Sequence, residues 1–358
     1  MNRRRYQSIW QELSDFLRIM VLALSAALFL SGLMVDLTVG GTLLITMQLF
    51  FTYGTLCQAV RTPLRILFMI GSPIVAVGVL VSNIGAISYN SLVRVQNTSG
   101  ATFSQNLNLL IREEDGIKEI FKLLSLIRFI SSGEAEGLFP ALSREYSSLR
   151  ERRGHFPSPL TTTFLGLERP GSFTKVTFPL PNNEAPTGTV VFLHGTGGNW
   201  TLICSIVADM VAPLKFQTVC PSTNPLGDWT TASSVQIASE TISAAEKSGG
   251  KIYLAGISAG AVGAGFLAQR YQKKLSGLIL ISGVVPGLKA LDVDTLLITG
   301  ERDERFTQKI VDWALRQNNH NLGKVEHRTI SGDHMAIIKQ KRTIESIVRE
   351  WLGNHGSN

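Results

Sequence analysis

Residues 252–255, Ile-Tyr-Leu-Ala, run without interruption into Gly256-Ile257-Ser258-Ala259-Gly260, and helical spacing begins at Ala261. A short apolar run that meets small residues and then a helical pattern predicts a strand turning tightly into a helix. Glycines on both sides of the polar residue allow a strained backbone in which larger neighbours would clash. The strand is apolar at consecutive positions, which suits a parallel sheet covered on both faces better than a sheet with one wet face. The C-terminal half repeats this arrangement. Apolar runs at 189–193, 216–220, 278–281 and 295–298 alternate with helical stretches near 235–246, 261–272, 307–317 and 337–351, and 325–330 is expected to be the last strand. Such alternation predicts an α/β domain with a mostly parallel central sheet.

The N-terminal third reads differently. Charged residues make up 17% of the 358 residues, below the ~25% usual for soluble globular chains, and the deficit lies at the start. No charge occurs at 19–35, 37–60 or 66–93, and runs of ~17–25 apolar residues are long enough to cross a bilayer. The expectation is an all-α membrane region of about three transmembrane helices over 1–95. Its glycines and Pro73 are tolerated in spans, where small residues let helices approach closely. A buried soluble bundle fits less well, and a cleaved signal peptide is disfavoured by the length of the first run and the two that follow. Arg3, Arg4, Arg5 and Arg18 before the first run, with Arg61 and Arg65 between the second and third, place the amino terminus on the cytoplasmic side. Everything after Arg94 is then expected outside the cytoplasm, which for a bacterial source means an integral inner-membrane protein with its C-terminal domain extracytoplasmic.

Between these regions, 96–159 is expected to be a connector. Its 107–130 stretch has apolar residues at helical spacing among charges, and such a helix packs on the following domain, lies on the membrane surface or simply links. Residues 160–358 are the expected α/β domain. The net charge of +7 is scattered, without the dense basic patch and interleaved aromatics of a nucleic-acid binder, and suits a neighbouring anionic lipid surface. Cys57, Cys204 and Cys220 match no metal or redox spacing and are expected as small apolar core residues, with a Cys204–Cys220 pairing left open. Protein partners are not legible.

Chemistry concentrates at few places. A serine hydroxyl is a weak nucleophile that needs a base to take its proton and a third group to fix that base's tautomer. Ser258, in its strand–turn–helix setting, is the expected nucleophile. His334, in Ser331-Gly332-Asp333-His334 between the last strand and helix patterns, is the expected base. Asp303, just beyond the 295–300 run, is the expected acid, with Glu301 and Glu304 near enough to be confused with it. Donors are also needed where negative charge develops. His194-Gly195-Thr196-Gly197-Gly198 follows an apolar strand, so the expected oxyanion donors are the amide of Ala259 and that of Thr196 or Gly197. His194 is expected to brace that turn, and His327 to be structural. A phosphate cradle is the rival reading of the glycines, but no Gly-Lys-Ser/Thr follows. The glycosylation-type sequence at Asn199 is read as chance.

Taken together, His194-Gly195, Ser258, Asp303 and His334, in that order, resemble the α/β-hydrolase family over about 160–352, little more than half the chain. The resemblance implies a sheet of about eight strands, hydrolysis through an acyl-enzyme intermediate, and no metal or organic cofactor. Cap-free esterases and polyester depolymerase-like enzymes of this fold look most similar, because only 283–292 separates the strand after the serine helix from the acid strand. The site is therefore expected to be open unless the 107–130 helix covers it, with Asp228 and Trp229 lining its pocket. The resulting expectation is a membrane-anchored esterase/lipase-like enzyme acting on a small-molecule or lipid-like ester beside a lipid bilayer. A serine peptidase or thioesterase of the same fold, or an inactive membrane scaffold, are the alternatives. A transport role is disfavoured because the spans hold no internal carboxylate, Lys or Arg.

Overall fold

Consecutive residues of the central strands belong to different hydrophobic cores. In β3 (Gly188–Leu193), Val190 and Phe192 pack with Tyr253, Ala255, Ile279 and Ile281, while Val191 and Leu193 pack with Ile252, Leu254, Leu278 and Leu280. Side chains alternate across a strand, so a run that is apolar at every position fills a core on each face. This computed structural model describes residues 93–356 apart from 110, 127–129, 155, 182–183, 287, 289–290 and 317–323. The described residues of 93–109 and 116–356 belong to one compact unit. The membrane spans expected in 1–95 lie outside the described residues except for 93–95, and among the described residues no helix is long and apolar enough to cross a membrane.

The remaining strands are β1 (Arg94–Asn97), β2 (Thr174–Phe178), β4 (Phe216–Pro221), β5 (Lys251–Ile257), β6 (Gly277–Ile281), β7 (Thr295–Gly300) and β8 (Val325–Ile330). They form one sheet in the order β1-β2-β4-β3-β5-β6-β7-β8. β1 and β2 pair antiparallel, as do β2 and β4, and every pair from β4 to β8 is parallel. The helices are α1 (Thr102–Leu107), α2 (Glu113–Leu126), α3 (Ser132–Ala135), α4 (Leu138–Arg153), α5 (Leu160–Phe164), α6 (Thr201–Val211), α7 (Ala232–Ser248), α8 (Ala259–Tyr271), α9 (Gln308–Arg316), α10 (Ala336–Lys339) and α11 (Lys341–Gly356). Residues of α4, α6, α10 and α11 fill the core on one face, and those of α7, α8 and α9 fill the core on the other. Thr231 caps α7, its hydroxyl accepting from the Ser234 amide.

Three expectations change. The stretch near 337–351 is two helices, α10 and α11, broken at Gln340. β1 and β2 were not expected as strands. Thr174-Lys-Val-Thr-Phe178 buries only alternate side chains and Arg94–Asn97 lies at the sheet edge, so neither shows a continuous apolar run. The segment expected as a connector supplies Gln96 and Asn97 of that edge strand and part of a core. In α2, Ile117 and Phe121 are buried and Ile120 and Leu124 pack against them, a stripe at i, i+3, i+4 and i+7. Leu138, Leu142, Tyr146 and Leu149 of α4 extend the same core.

The cysteine expectation also changes. Cys204 of α6 and Cys220 of β4 form a disulfide that closes a loop of sequence separation 16. Cross-linking residues this far apart restricts the unfolded chain by about 3 kcal/mol. Replacing both cysteines by alanine should lower the unfolding free energy by about that amount, measured by urea denaturation with and without reductant. An unchanged midpoint in both variant and reduced wild type would show that the bridge does not form.

Candidate active site

The turn after β5 is shaped by close backbone contacts. Ser258 has φ 54° and ψ −122°, a region that non-glycine residues rarely occupy. A Cβ on Gly260 would lie 2.1 Å from the Leu193 carbonyl oxygen, and one on Gly256 would lie 2.2 Å from that of Gly260. The second residue of α8 must therefore pass directly against the end of β3, which only glycine allows. The Ser258 amide donates to the Ile281 carbonyl at 2.9 Å. The serine is thus held at the C-terminal end of the sheet, projecting from a strained turn.

His334 and Asp303 arrive on two loops locked to each other. Beyond β7, the Glu301 amide donates to the Ile330 carbonyl at 2.9 Å and that of Arg302 to the Gly332 carbonyl at 2.8 Å. Asp303 is 2% exposed. Its Oδ1 accepts from the amides of Arg305 and Phe306, both at 2.9 Å, and its Oδ2 accepts from His334 Nδ1 at 2.9 Å. His334 Nε2 lies 2.8 Å from Ser258 Oγ. With Nδ1 donating to the carboxylate, Nε2 is the nitrogen free to accept the serine proton. Burial works to raise the Asp303 pKa, but the His334 hydrogen bond and charge, with the two amides, outweigh it and hold this carboxyl below its ordinary value. Phe306 stacks on the His334 ring at 6.0 Å between centroids. Glu301 and Glu304 are exposed, and the structure brings neither to the histidine.

The oxyanion donors expected after β3 separate into one of each kind. Gly197 donates its amide to the Pro225 carbonyl at 2.8 Å, so it is occupied elsewhere and the expectation for Gly197 is not met. Thr196 has no backbone acceptor among the described residues, and Ala259, as the first residue of α8, has none a turn earlier. Gly195 brings the loop against the serine: a Cβ there would lie 2.9 Å from the Ile257 oxygen and 3.1 Å from Ser258 Cβ.

His194 braces this loop. Its Nδ1 donates to the Gly195 carbonyl at 2.8 Å and its Nε2 accepts the Thr223 amide at 3.2 Å, while Trp229 Nε1 donates to the His194 carbonyl at 2.9 Å. Burial pushes its pKa down to about 4, against the Gly195 hydrogen bond that works to raise it. A histidine neutral when folded and charged when unfolded makes stability rise with pH between the two pKa values. Its contribution is complete above ~6.5, is lost as pH falls toward about 4, and amounts to roughly 3 kcal/mol. Urea denaturation at pH 7 and pH 4.5 should show a loss in the wild type that shrinks in His194→Gln; equal losses in both would sink this assignment.

Ser258, His334, Thr196 and Arg305 line a pocket whose walls also include apolar side chains of α2, α6 and α10. Phe121 and Leu124 of α2 form part of these walls, so that helix packs beside the site that lacks a cap. Asp228 and Trp229, expected as lining residues, are not. Trp229 is fully buried under α8, where a Cβ on Gly263 would meet it at 2.3 Å, and Asp228 accepts from Thr230 in its own turn. His327 pairs with Thr299 Oγ1 at 2.7 Å and is not among the residues lining the pocket. Asn199 is 1% exposed and donates to the Cys220 carbonyl, consistent with no glycan there. The lining residues Phe121, Trp200 and Arg305 were not anticipated. Helical spacing marked the Phe121 face, but nothing local told where that face docks. Among the described residues no cluster of three His, Cys, Asp or Glu is placed to hold a metal ion.

The strand order, the antiparallel β2 and the serine turn at the end of β5 define the α/β-hydrolase fold. No protein-family model matches the chain, and no curated protein matches it in sequence. Among solved structures, it is similar to Est1E from Butyrivibrio proteoclasticus at 14% identity and a TM-score of 0.44, covering 52% of this chain and 96% of that one. A thermophilic esterase from Thermogutta terrifontis is similar at 15% identity and a TM-score of 0.42, covering 52% and 95%. A lid-free α/β serine hydrolase from Xanthomonas campestris is similar at 14% identity and a TM-score of 0.41, covering 52% and 91%.

Proposed function

We propose that this chain is a membrane-anchored serine hydrolase that cleaves carboxylic esters. The observation that carries the reading is the relay from Ser258 Oγ through His334 to Asp303, at 2.8 and 2.9 Å. His334 Nε2 takes the serine proton as Oγ bonds to the acyl carbon. The amides of Thr196 and Ala259 hold the oxygen that gains the charge, in a setting where one such donor is worth ~100 to 1000-fold. His334 then passes its proton to the departing alcohol, leaving an acyl-serine. Water attacks that ester, gives a proton to His334, and releases the acid and free Ser258. Asp303 fixes the histidine tautomer and stabilises its charged form.

The charge-free runs of 1–93 support the membrane anchor. The Cys204–Cys220 disulfide supports a domain on the oxidising, extracytoplasmic side. The test uses the full-length chain in membranes washed with alkaline carbonate. Retention in the pellet, labelling by ethyl fluorophosphonate and turnover of p-nitrophenyl esters are the expected results. Turnover of amides or thioesters but not esters would make the chain a peptidase or thioesterase. No labelling of folded protein would leave an inactive scaffold, and release by carbonate would remove the anchor.

A further inference from the structure

Resting on the hydrolase reading, the geometry points to a short, uncharged hydrocarbon acyl group as the part of the substrate that the pocket holds, with α2 setting its maximum length. The walls beyond the triad are mainly apolar, among them Phe121 and Leu124 of α2, Trp200 and Ile203 at the start of α6, and Ile337 and Ile338 of α10. Of these, all but Leu124 are at most 8% exposed. Trp200 closes the α2 side with its ring 5.2 Å from that of Phe121, edge to face. Its indole N–H is already given to the Gly197 carbonyl at 2.8 Å, so it offers a substrate no donor.

The one arginine or lysine on the pocket wall among the described residues is matched. Arg305 pairs through its guanidinium with Glu134 of α3, a carboxylate only 3% exposed. An acidic acyl group would have to compete with that carboxylate, and a sugar or peptide side chain would bury hydroxyls or amides without partners, at a cost of ~1–3 kcal/mol each. A hydrocarbon meets neither obstacle.

Size follows from volume. The pocket offers about 100 Å³, against the ~150 Å³ of an apolar cavity that accepts six-carbon benzene. In proportion, it takes an acyl chain of roughly four carbons. The acyl group, rather than the alcohol, belongs there because it stays covalently attached to Ser258, which lines the pocket, through both half-reactions.

The experiment is a p-nitrophenyl ester series from acetate to octanoate on the full-length chain, with Ser258 labelling by ethyl fluorophosphonate run beside it. The expected kcat/KM rises roughly fourfold per methylene as far as butyrate. It then falls by about tenfold or more at octanoate, where the chain overfills the pocket. Leu124→Ala should move the optimum to longer acyl chains and Leu124→Phe to shorter ones. Lengthening the alcohol in alkyl butyrates should leave the rank order of acyl preference unchanged. A labelled enzyme whose rate is flat or still rising at octanoate overturns the length limit. An optimum unmoved by both Leu124 variants overturns the role of α2, and a length limit that follows the alcohol overturns the assignment to the acyl side. Absence of labelling removes the hydrolase reading itself, a different failure from these three.

Discussion

Ser258→Ala is expected to lower kcat for p-nitrophenyl butyrate by about 10⁶ and to abolish fluorophosphonate labelling. The substitution removes one oxygen, the atom 2.8 Å from His334 Nε2. The amides of Thr196 and Ala259 remain, so a residual ~10³–10⁴ over the reaction in water should survive. Alanine meets the same strained φ of 54° as serine, so the fold should be as stable as before, and the thermal midpoint should stay close to that of the wild type. Such a pattern, activity lost with stability kept, separates a chemical role from a structural one. Labelling that persists in the variant would mean that another side chain is the nucleophile.

Asp303→Asn is expected to cost about 10⁴ in kcat, and the hydrogen bonds show why the loss should be so large for so small a change. The amides of Arg305 and Phe306 both point at Oδ1. An asparagine must put its carbonyl oxygen there, which turns its NH₂ toward His334 Nδ1. That nitrogen then has to accept, the ring proton moves to Nε2, and Nε2 can no longer take the proton of Ser258. Stopped-flow or steady-state turnover of the purified variant gives the number. Glu301→Gln and Glu304→Gln, on exposed side chains, should remain near the wild-type rate. A loss below tenfold in Asp303→Asn, or a large one in either glutamate variant, would assign the acid to another residue.

What was legible in the sequence follows the physics of each element. β3, β5, β6 and β7 are buried on both faces, so their runs stand out, and the turn between β5 and α8 carries its glycines where two backbones nearly touch. Ser258, Asp303 and His334, which the fold brings within hydrogen-bond reach of one another, could be singled out because each follows a recognisable strand. β1 and β2 were not, since an edge or alternating strand needs few apolar residues. The exclusion of Gly197 was hidden as well. Whether an amide faces the pocket or Pro225 depends on a turn of φ +104°, and glycine permits either direction. The apolar face of α2 was visible, but its destination depends on α6 and α10, far along the chain.

That last dependence bears on how the chain is made. Synthesis runs from the amino terminus, so the α2 wall of the pocket leaves the ribosome before the rest of its walls. Phe121 packs edge-on against Trp200, and the walls are finished only by α10, roughly 220 residues after Phe121, or ~10–40 s at the usual pace of translation. For that interval the surface that the stripe of Ile117, Ile120, Phe121 and Leu124 closes on is incomplete. A nascent chain stalled before α10 therefore presents an apolar helix to the nearest bilayer or chaperone.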